Sequence, residues 1–215
     1  MGVRERCGVS TMALVVAMAS LKGGTGKTTV GLNLAVAAEE AGLQTVVVDV
    51  DPQQASAKWG DLRAVTGKTT TVISAMAARL PQTIESIVRL GAELVVIDTA
   101  AHAEGILVST IDLADLVLIP CRPTIIDLQY LATTVQLTTL RRKTAAVVLN
   151  SVPVRTLDRS QAEGAITDMG VSLMPVGVSN LVAYARAITV GQGVTEFEPN
   201  GKAAAEMRAL FDELN

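Results

Sequence analysis

Val15-Val16-Ala17-Met18-Ala19-Ser20-Leu21-Lys22-Gly23-Gly24-Thr25-Gly26-Lys27-Thr28-Thr29 runs from an unbroken apolar stretch, through a glycine-rich turn, into a segment with helical spacing. Gly23, Gly24 and Gly26 let the backbone curl until successive N–H groups point into one concavity, and the helix opening near Lys27 adds the positive end of its dipole. Such a loop binds phosphate. Lys27 is the cation expected at the β- and γ-phosphates, and the Thr28 hydroxyl is expected on Mg²⁺. Thr25 and Thr29 in the same run are further candidates for ATP binding, and the chemistry the loop implies is nucleotide binding with hydrolysis.

The strict G-x-x-x-x-G-K-[ST] pattern fails, because Leu21 stands five residues before Gly26. In its place a second lysine, Lys22, opens the loop. A lysine in a turn reads by itself as a solvated residue. Here the loop resembles the deviant Walker A motif K-G-G-x-G-K-[ST] of the ParA/MinD group of P-loop ATPases. That resemblance implies ATP and ADP with Mg²⁺ as ligands. It also implies a nucleotide-sandwiched homodimer in which Lys22 reaches the phosphates held by the partner.

The 215 residues suffice for one domain with a well-filled core, and the 49% apolar and 18% charged residues fit a buried sheet rather than disorder. Aromatics make up only 2%, so the core must come from Val, Leu, Ile and Ala, and a single-strand binder that stacks bases on rings is disfavoured. With a net charge of −3, any DNA binding has to come from a local basic patch. Cys7 and Cys121 match no metal spacing, and a reducing, cytoplasmic compartment is expected. Arg4 and Arg6 before an apolar run ending Ala17-Met18-Ala19 superficially resemble a signal peptide, but cleavage there would remove the strand that holds the phosphate loop. Residues 1–11 are therefore expected to be a loose extension and 12–215 the ATPase domain. No apolar run approaches the roughly 20 residues of a membrane span.

Continuous apolar runs predict strands at 13–19, 45–51, 93–98, 116–120 and 145–150, with weaker ones near 71–73 and 172–175. Helices are expected over about 27–41, 54–64, 81–90, 124–140, 158–169, 180–190 and 201–214, with Val30, Leu34 and Ala38 forming the buried face of the first. This alternation predicts a single α/β domain of the P-loop NTPase class. Its mostly parallel sheet should carry helices on both faces, with ligands outside the carboxyl ends of the strands.

Asp98 ends an apolar strand, where a Walker B carboxylate would hold Mg²⁺ directly or through water. Asp49-Val50-Asp51-Pro52-Gln53 resembles the D-x-D-P-Q segment of the ParA/MinD group. By that resemblance Asp51 orients the attacking water and Asp49 lies near the hydration shell of the metal; otherwise the two aspartates cap the next helix and shape a turn. Asp115 to Thr124 resembles the strand and loop that follow Walker B in ParA proteins. Asn150 resembles the asparagine that contacts adenine, and Gly191 to Lys202, with Glu196 and Pro199, resembles the segment before the last helix. The resemblance spans about residues 13–213. It departs at Thr99-Ala100-Ala101-His102, where relatives have T-P-P, and at Leu181, where many small ParA proteins have arginine. His102 reads as a surface loop residue. Arg122 and Arg155 stay open as alternative cations.

The acidic C-terminal segment carries no lysine-rich face, so membrane targeting of the MinD kind is not expected. The pattern reads as the short ParA type, without an added N-terminal DNA-binding domain. Its ATP-bound dimer would bind double-stranded DNA without sequence preference, associate with the nucleoid, and be stimulated by a ParB-like partner. Candidate DNA contacts are Arg186 and Lys202, then Arg141, Arg142 and Lys143, with Arg208. A solvated helix end explains Arg141 to Lys143 equally well. DNA partition is the leading expectation; positioning of a protein cargo, such as a chemoreceptor cluster or microcompartment, and a nucleotide-gated switch are the alternatives.

Overall fold

The computed structural model describes residues 13–68, 70–101, 103–153 and 158–214. The expected extension at 1–11, with Cys7, and also His102 and Arg155 lie outside them. The strands are β1 (Leu14–Met18), β2 (Thr45–Asp49), β3 (Thr71–Ser74), β4 (Leu94–Asp98), β5 (Leu116–Cys121), β6 (Thr144–Leu149) and β7 (Ser172–Leu173). They form one sheet in the order β3-β2-β4-β1-β5-β6-β7, and every pairing is parallel. Parallel strands need crossovers, and the crossovers supply helices to both faces. β4 and β5 are accordingly buried along their whole length.

The helices are α1 (Lys27–Glu40), α2 (Ala55–Val65), α3 (Leu80–Arg89), α4 (Glu104–Leu113), α5 (Ile125–Leu140), α6 (Asp158–Asp168), α7 (Val182–Thr189), α8 (Val194–Phe197) and α9 (Lys202–Asp212). On one face Val16 and Met18 of β1 pack with α1, α7 and α9 through Leu34, Tyr184, Met207 and Leu210. On the other, Ala17 and Ala19 meet Leu107, Ile111, Leu131 and Ile166. The expected single buried stripe on α1 proves too narrow. Leu32, Ala35 and Val36 are buried as well, because α8 and α9 cover the side of α1 turned away from the sheet. Gly42, at φ 95°, ends that helix as expected.

The structure adds two helices to those expected, α4 and the four-residue α8. No helix among the described residues is long and apolar enough to cross a membrane. For function the register matters most: Met18 pairs with Asp98, and Asp98 with Asp49. The loop after β1, the Asp98 carboxylate and the turn after β2 therefore meet at the carboxyl end of the central strands.

Candidate active site

The phosphate loop joins β1 to α1. Gly24 and Gly26 have φ of 72° and 104°, a region costly for any residue with a Cβ. A Cβ on Gly26 would also lie 2.0 Å from Asn150 Nδ2. Asn150 holds this turn from the end of β6: its Nδ2 donates to the Thr25 carbonyl at 2.7 Å, and its backbone N–H to Cys121. The geometry thus gives Asn150 a loop-supporting role beside the adenine contact that the resemblance implies.

Lys27 folds back across the loop. Its buried ammonium donates to the carbonyls of Ser20 and Lys22, each at 3.2 Å. Burial lowers its pKa, and the charges of Asp98 and Asp51 oppose that shift. A cation solvated by neutral carbonyls is poised for an anion in the same concavity.

Asp98 is 1% exposed. Its Oδ2 accepts hydroxyls from Thr28 at 2.8 Å and from Ser56 at 2.7 Å. Its Oδ1 is buried without a hydrogen-bond partner among the described residues. A buried carboxylate oxygen lacking a donor is costly unless a cation satisfies it. Asp98 with the Thr28 hydroxyl therefore fits Mg²⁺, which takes one or two protein oxygens and completes its shell with phosphate and water.

Burial pushes the Asp98 carboxyl up to about 6, reinforced by the charge of Asp49, while the bonds from Ser56 and Thr28 and the charge of Lys27 pull it down. Folding therefore takes up a proton at Asp98 between about pH 4 and 6, and the protein alone loses stability as pH rises through that window. Asp98→Asn keeps the shape without the charge. It is expected to melt several degrees above the wild type at neutral pH without ligands, and to lose the Mg²⁺ dependence of nucleotide binding. A lower melting temperature would show that the two hydroxyl bonds outweigh burial.

Asp49 is buried, and its two oxygens accept the N–H groups of Asp51 and Ala57, each at 2.9 Å. Asp49 thus shapes the turn and anchors the start of α2. Asp51 is half-buried at the mouth, with Oδ1 accepting the Gln53 N–H at 2.9 Å.

The ammonium of Lys22 does not enter the loop concavity. It pairs at 3.0 Å with Asp127 Oδ1, in the first turn of α5, where Arg122 pairs at 3.2 Å and the Thr124 hydroxyl also bonds. Burial raises the Asp127 pKa, but the bonds from Thr124, Lys22 and Arg122 outweigh it and hold the carboxyl below its usual value. Asp127 and Ser56 are the two site residues that sequence reasoning missed. Thr124-Ile125-Ile126-Asp127 has capping-box spacing and could have marked the first. Nothing local marks the second.

Residues 16–194 match the CobQ/CobB/MinD/ParA nucleotide binding domain. The chain belongs to this family. It is a nucleotide-binding P-loop ATPase of the ParA/MinD group. Two relatives are called Maintenance of carboxysome distribution protein A. The one from Halothiobacillus neapolitanus is 27% identical over 95% of this chain and 98% of its own. The one from Gloeobacter kilaueensis is 29% identical over 96% of each. Protein ParA of Rhizobium radiobacter is 28% identical over 82% of this chain and 83% of its own. Among solved structures, the septum site-determining protein MinD of Pyrococcus horikoshii, complexed with Mg-ADP, superposes with a TM-score of 0.75. It is 22% identical and covers 95% of this chain and 96% of its own.

The basic candidates of this ATPase separate into two groups. Arg186 of α7 and Lys202 of α9 come together on a cleft of about 290 Å³, lined also by Leu181, Val182, Phe197 and Glu198. Lys202 lies 3.5 Å from Glu206. Arg141 instead pairs with Asp112, and Lys143 donates to the Ala114 carbonyl, at the amino end of the strands, opposite the phosphate loop. Arg142 follows α5 at φ 55°. Arg208 is committed to the carbonyls of Pro199 and Thr195.

Proposed function

We propose that this ATPase positions a protein cargo, of the microcompartment kind, within the cell. The observation that carries the reading is the alignment with two carboxysome distribution proteins along nearly the full length of both chains. It supports this reading better than the leading expectation of DNA partition. Partition stays as the second reading, supported by the shorter alignment with Protein ParA.

In the proposed cycle Lys27 holds the β- and γ-phosphates, while Thr28 and Asp98 hold the cation. Mg²⁺, when bound, neutralises phosphate charge. Asp51, half-exposed beside Lys27, orients the attacking water. Lys22 leaves Asp127 to reach the nucleotide of a second copy, so turnover depends on dimerisation. The nucleotide-bridged dimer binds duplex DNA non-specifically through Arg186 and Lys202, using the nucleoid as its track. An adaptor protein on the cargo takes the place of a ParB-like partner in stimulating turnover.

Deletion of the gene in cells that carry it discriminates between the readings. Clustering of a protein-shelled compartment at unchanged plasmid retention is the expected result. Plasmid loss with evenly spaced compartments would install partition instead. In vitro, binding to random duplex DNA should require ATP and weaken steeply as salt rises.

A further inference from the structure

Ser56 has an unusual use for a helical serine. Ser86 and Ser109, exposed on α3 and α4, spend their hydroxyls on carbonyls four residues back in their own helices, the common outcome for this side chain. Ser56, in the first turn of α2 and fully buried, instead donates to Asp98 Oδ2 at 2.7 Å, 42 residues away in sequence. The same oxygen takes the Thr28 hydroxyl at 2.8 Å. Two donors on one oxygen fix the rotation of the carboxylate, and Oδ1 is the oxygen left without a partner among the described residues.

Thr28 is the hydroxyl that a bound cation recruits. With the Thr28 hydroxyl given to a cation, Ser56 would be the side-chain donor left on Asp98. The next residue, Ala57, donates its backbone N–H to Asp49 at 2.9 Å. The first turn of α2 is thereby pinned to two carboxylates at once, Asp49 through the backbone and Asp98 through Ser56. The turn that carries Asp51 lies directly before that helix.

We propose that Ser56 is a positioning residue, which aims the free oxygen of Asp98 at the cation and couples occupation of the metal site to α2 and the Asp51 turn. The inference rests on the ATPase assignment and is independent of which cargo is carried. Groups that orient a metal ligand typically contribute 10- to 100-fold in metal affinity. Trp59, the only tryptophan, sits three residues further along α2 and is 2% exposed, so its emission reports on that helix.

The test titrates MgCl₂ into the wild type and variants in the presence of a fluorescent N-methylanthraniloyl-ADP, following nucleotide affinity and Trp59 emission. Ser56→Ala and Ser56→Cys, the latter near the original volume but a weak donor, are both expected to raise the Mg²⁺ midpoint at least about tenfold. Nucleotide affinity in EDTA should stay at the wild-type value, and the Mg²⁺-linked change in Trp59 emission should shrink. Ser56→Thr keeps the hydroxyl and should restore the midpoint. Wild-type midpoints in the alanine and cysteine variants would overturn the proposal. So would a loss confined to alanine, which would mark Ser56 as a packing residue, or an equal loss of affinity with and without Mg²⁺.

Discussion

Lys22→Ala is expected to bind nucleotide within a few-fold of the wild type while turning ATP over more slowly by a factor on the order of 10³, the scale of a cation supplied to the transition state from outside the binding loop. The expectation rests on where the two ends of Lys22 go. Its backbone carbonyl faces the loop and receives Lys27, and substitution leaves it in place. Its ammonium points to Asp127, away from the phosphates of its own subunit. Removing that ammonium does not strand Asp127, which keeps Arg122 at 3.2 Å and the Thr124 hydroxyl. Asp127 is buried, but with those two donors kept the stability cost should stay well below the roughly 3–5 kcal/mol of a buried charge left unpaired. Nucleotide affinity, phosphate release and melting temperature, measured on the same preparation, decide the matter. Equal losses in binding and turnover would place the lysine at its own phosphates. Unchanged turnover would return it to an ordinary solvated residue.

How far the sequence could be read follows from where each interaction closes. The strands were legible because a strand buried on both faces must be apolar throughout, as Leu94 to Ile97 and Leu116 to Ile119 are. The phosphate loop and Lys27 were legible because their chemistry is complete within a dozen residues. Asp98 was legible as the polar end of an apolar strand. α4 was not: Leu107, Thr110 and Ile111 have helical spacing, but half-buried Ile106, Val108 and Leu113 blur the stripe. α8, at four residues, has no period to read. Ser56 escaped because it acts on a residue brought close only by the fold; for Asp127 the local spacing from Thr124 marks a helix start, but its pairing with Lys22 closes only in the folded chain. Asn150 was found by position, yet its bond to the Thr25 carbonyl appears only when β6 lies beside the loop. Local chemistry is written locally, and the coupling between elements is not.

The same contrast sets the second large effect, at Arg63, which no motif singled out. Its guanidinium is almost fully buried and takes both oxygens of Glu196, at 2.7 and 3.1 Å. It also bonds Glu39 of α1 at 3.1 Å and the Gly191 carbonyl at 3.3 Å, and stands 5.1 Å from the centroid of the Trp59 ring. One side chain thus joins α1, α2 and the segment leading into α9. The backbones also approach closely here: a Cβ on Gly191, itself at φ 70°, would lie 2.7 Å from the Arg63 backbone nitrogen, which accounts for the glycine at that end of the Gly191–Lys202 segment. Burial raises the Glu196 pKa, but the bonds from Arg63, the Gly193 N–H and Lys68 more than offset it and hold that carboxyl low.

Arg63→Ala leaves Glu196 with the more exposed Lys68 as its cation, at 3.2 Å. Breaking a buried pair from one side costs about 3–5 kcal/mol, which in a domain of this size lowers the melting temperature by on the order of 10 °C. Arg63→Lys should recover only part, since an ammonium cannot bridge both carboxylate oxygens. Because Glu196 is held below its ordinary value of 4.5, the stability it contributes is present above that pH and lost as pH falls through its lowered value. The gap between wild type and Arg63→Ala should therefore narrow in acid. Urea unfolding followed by Trp59 emission at neutral pH and near pH 3 measures both the gap and its narrowing. A gap that stays constant with pH would assign the loss to packing against Trp59 rather than to charge.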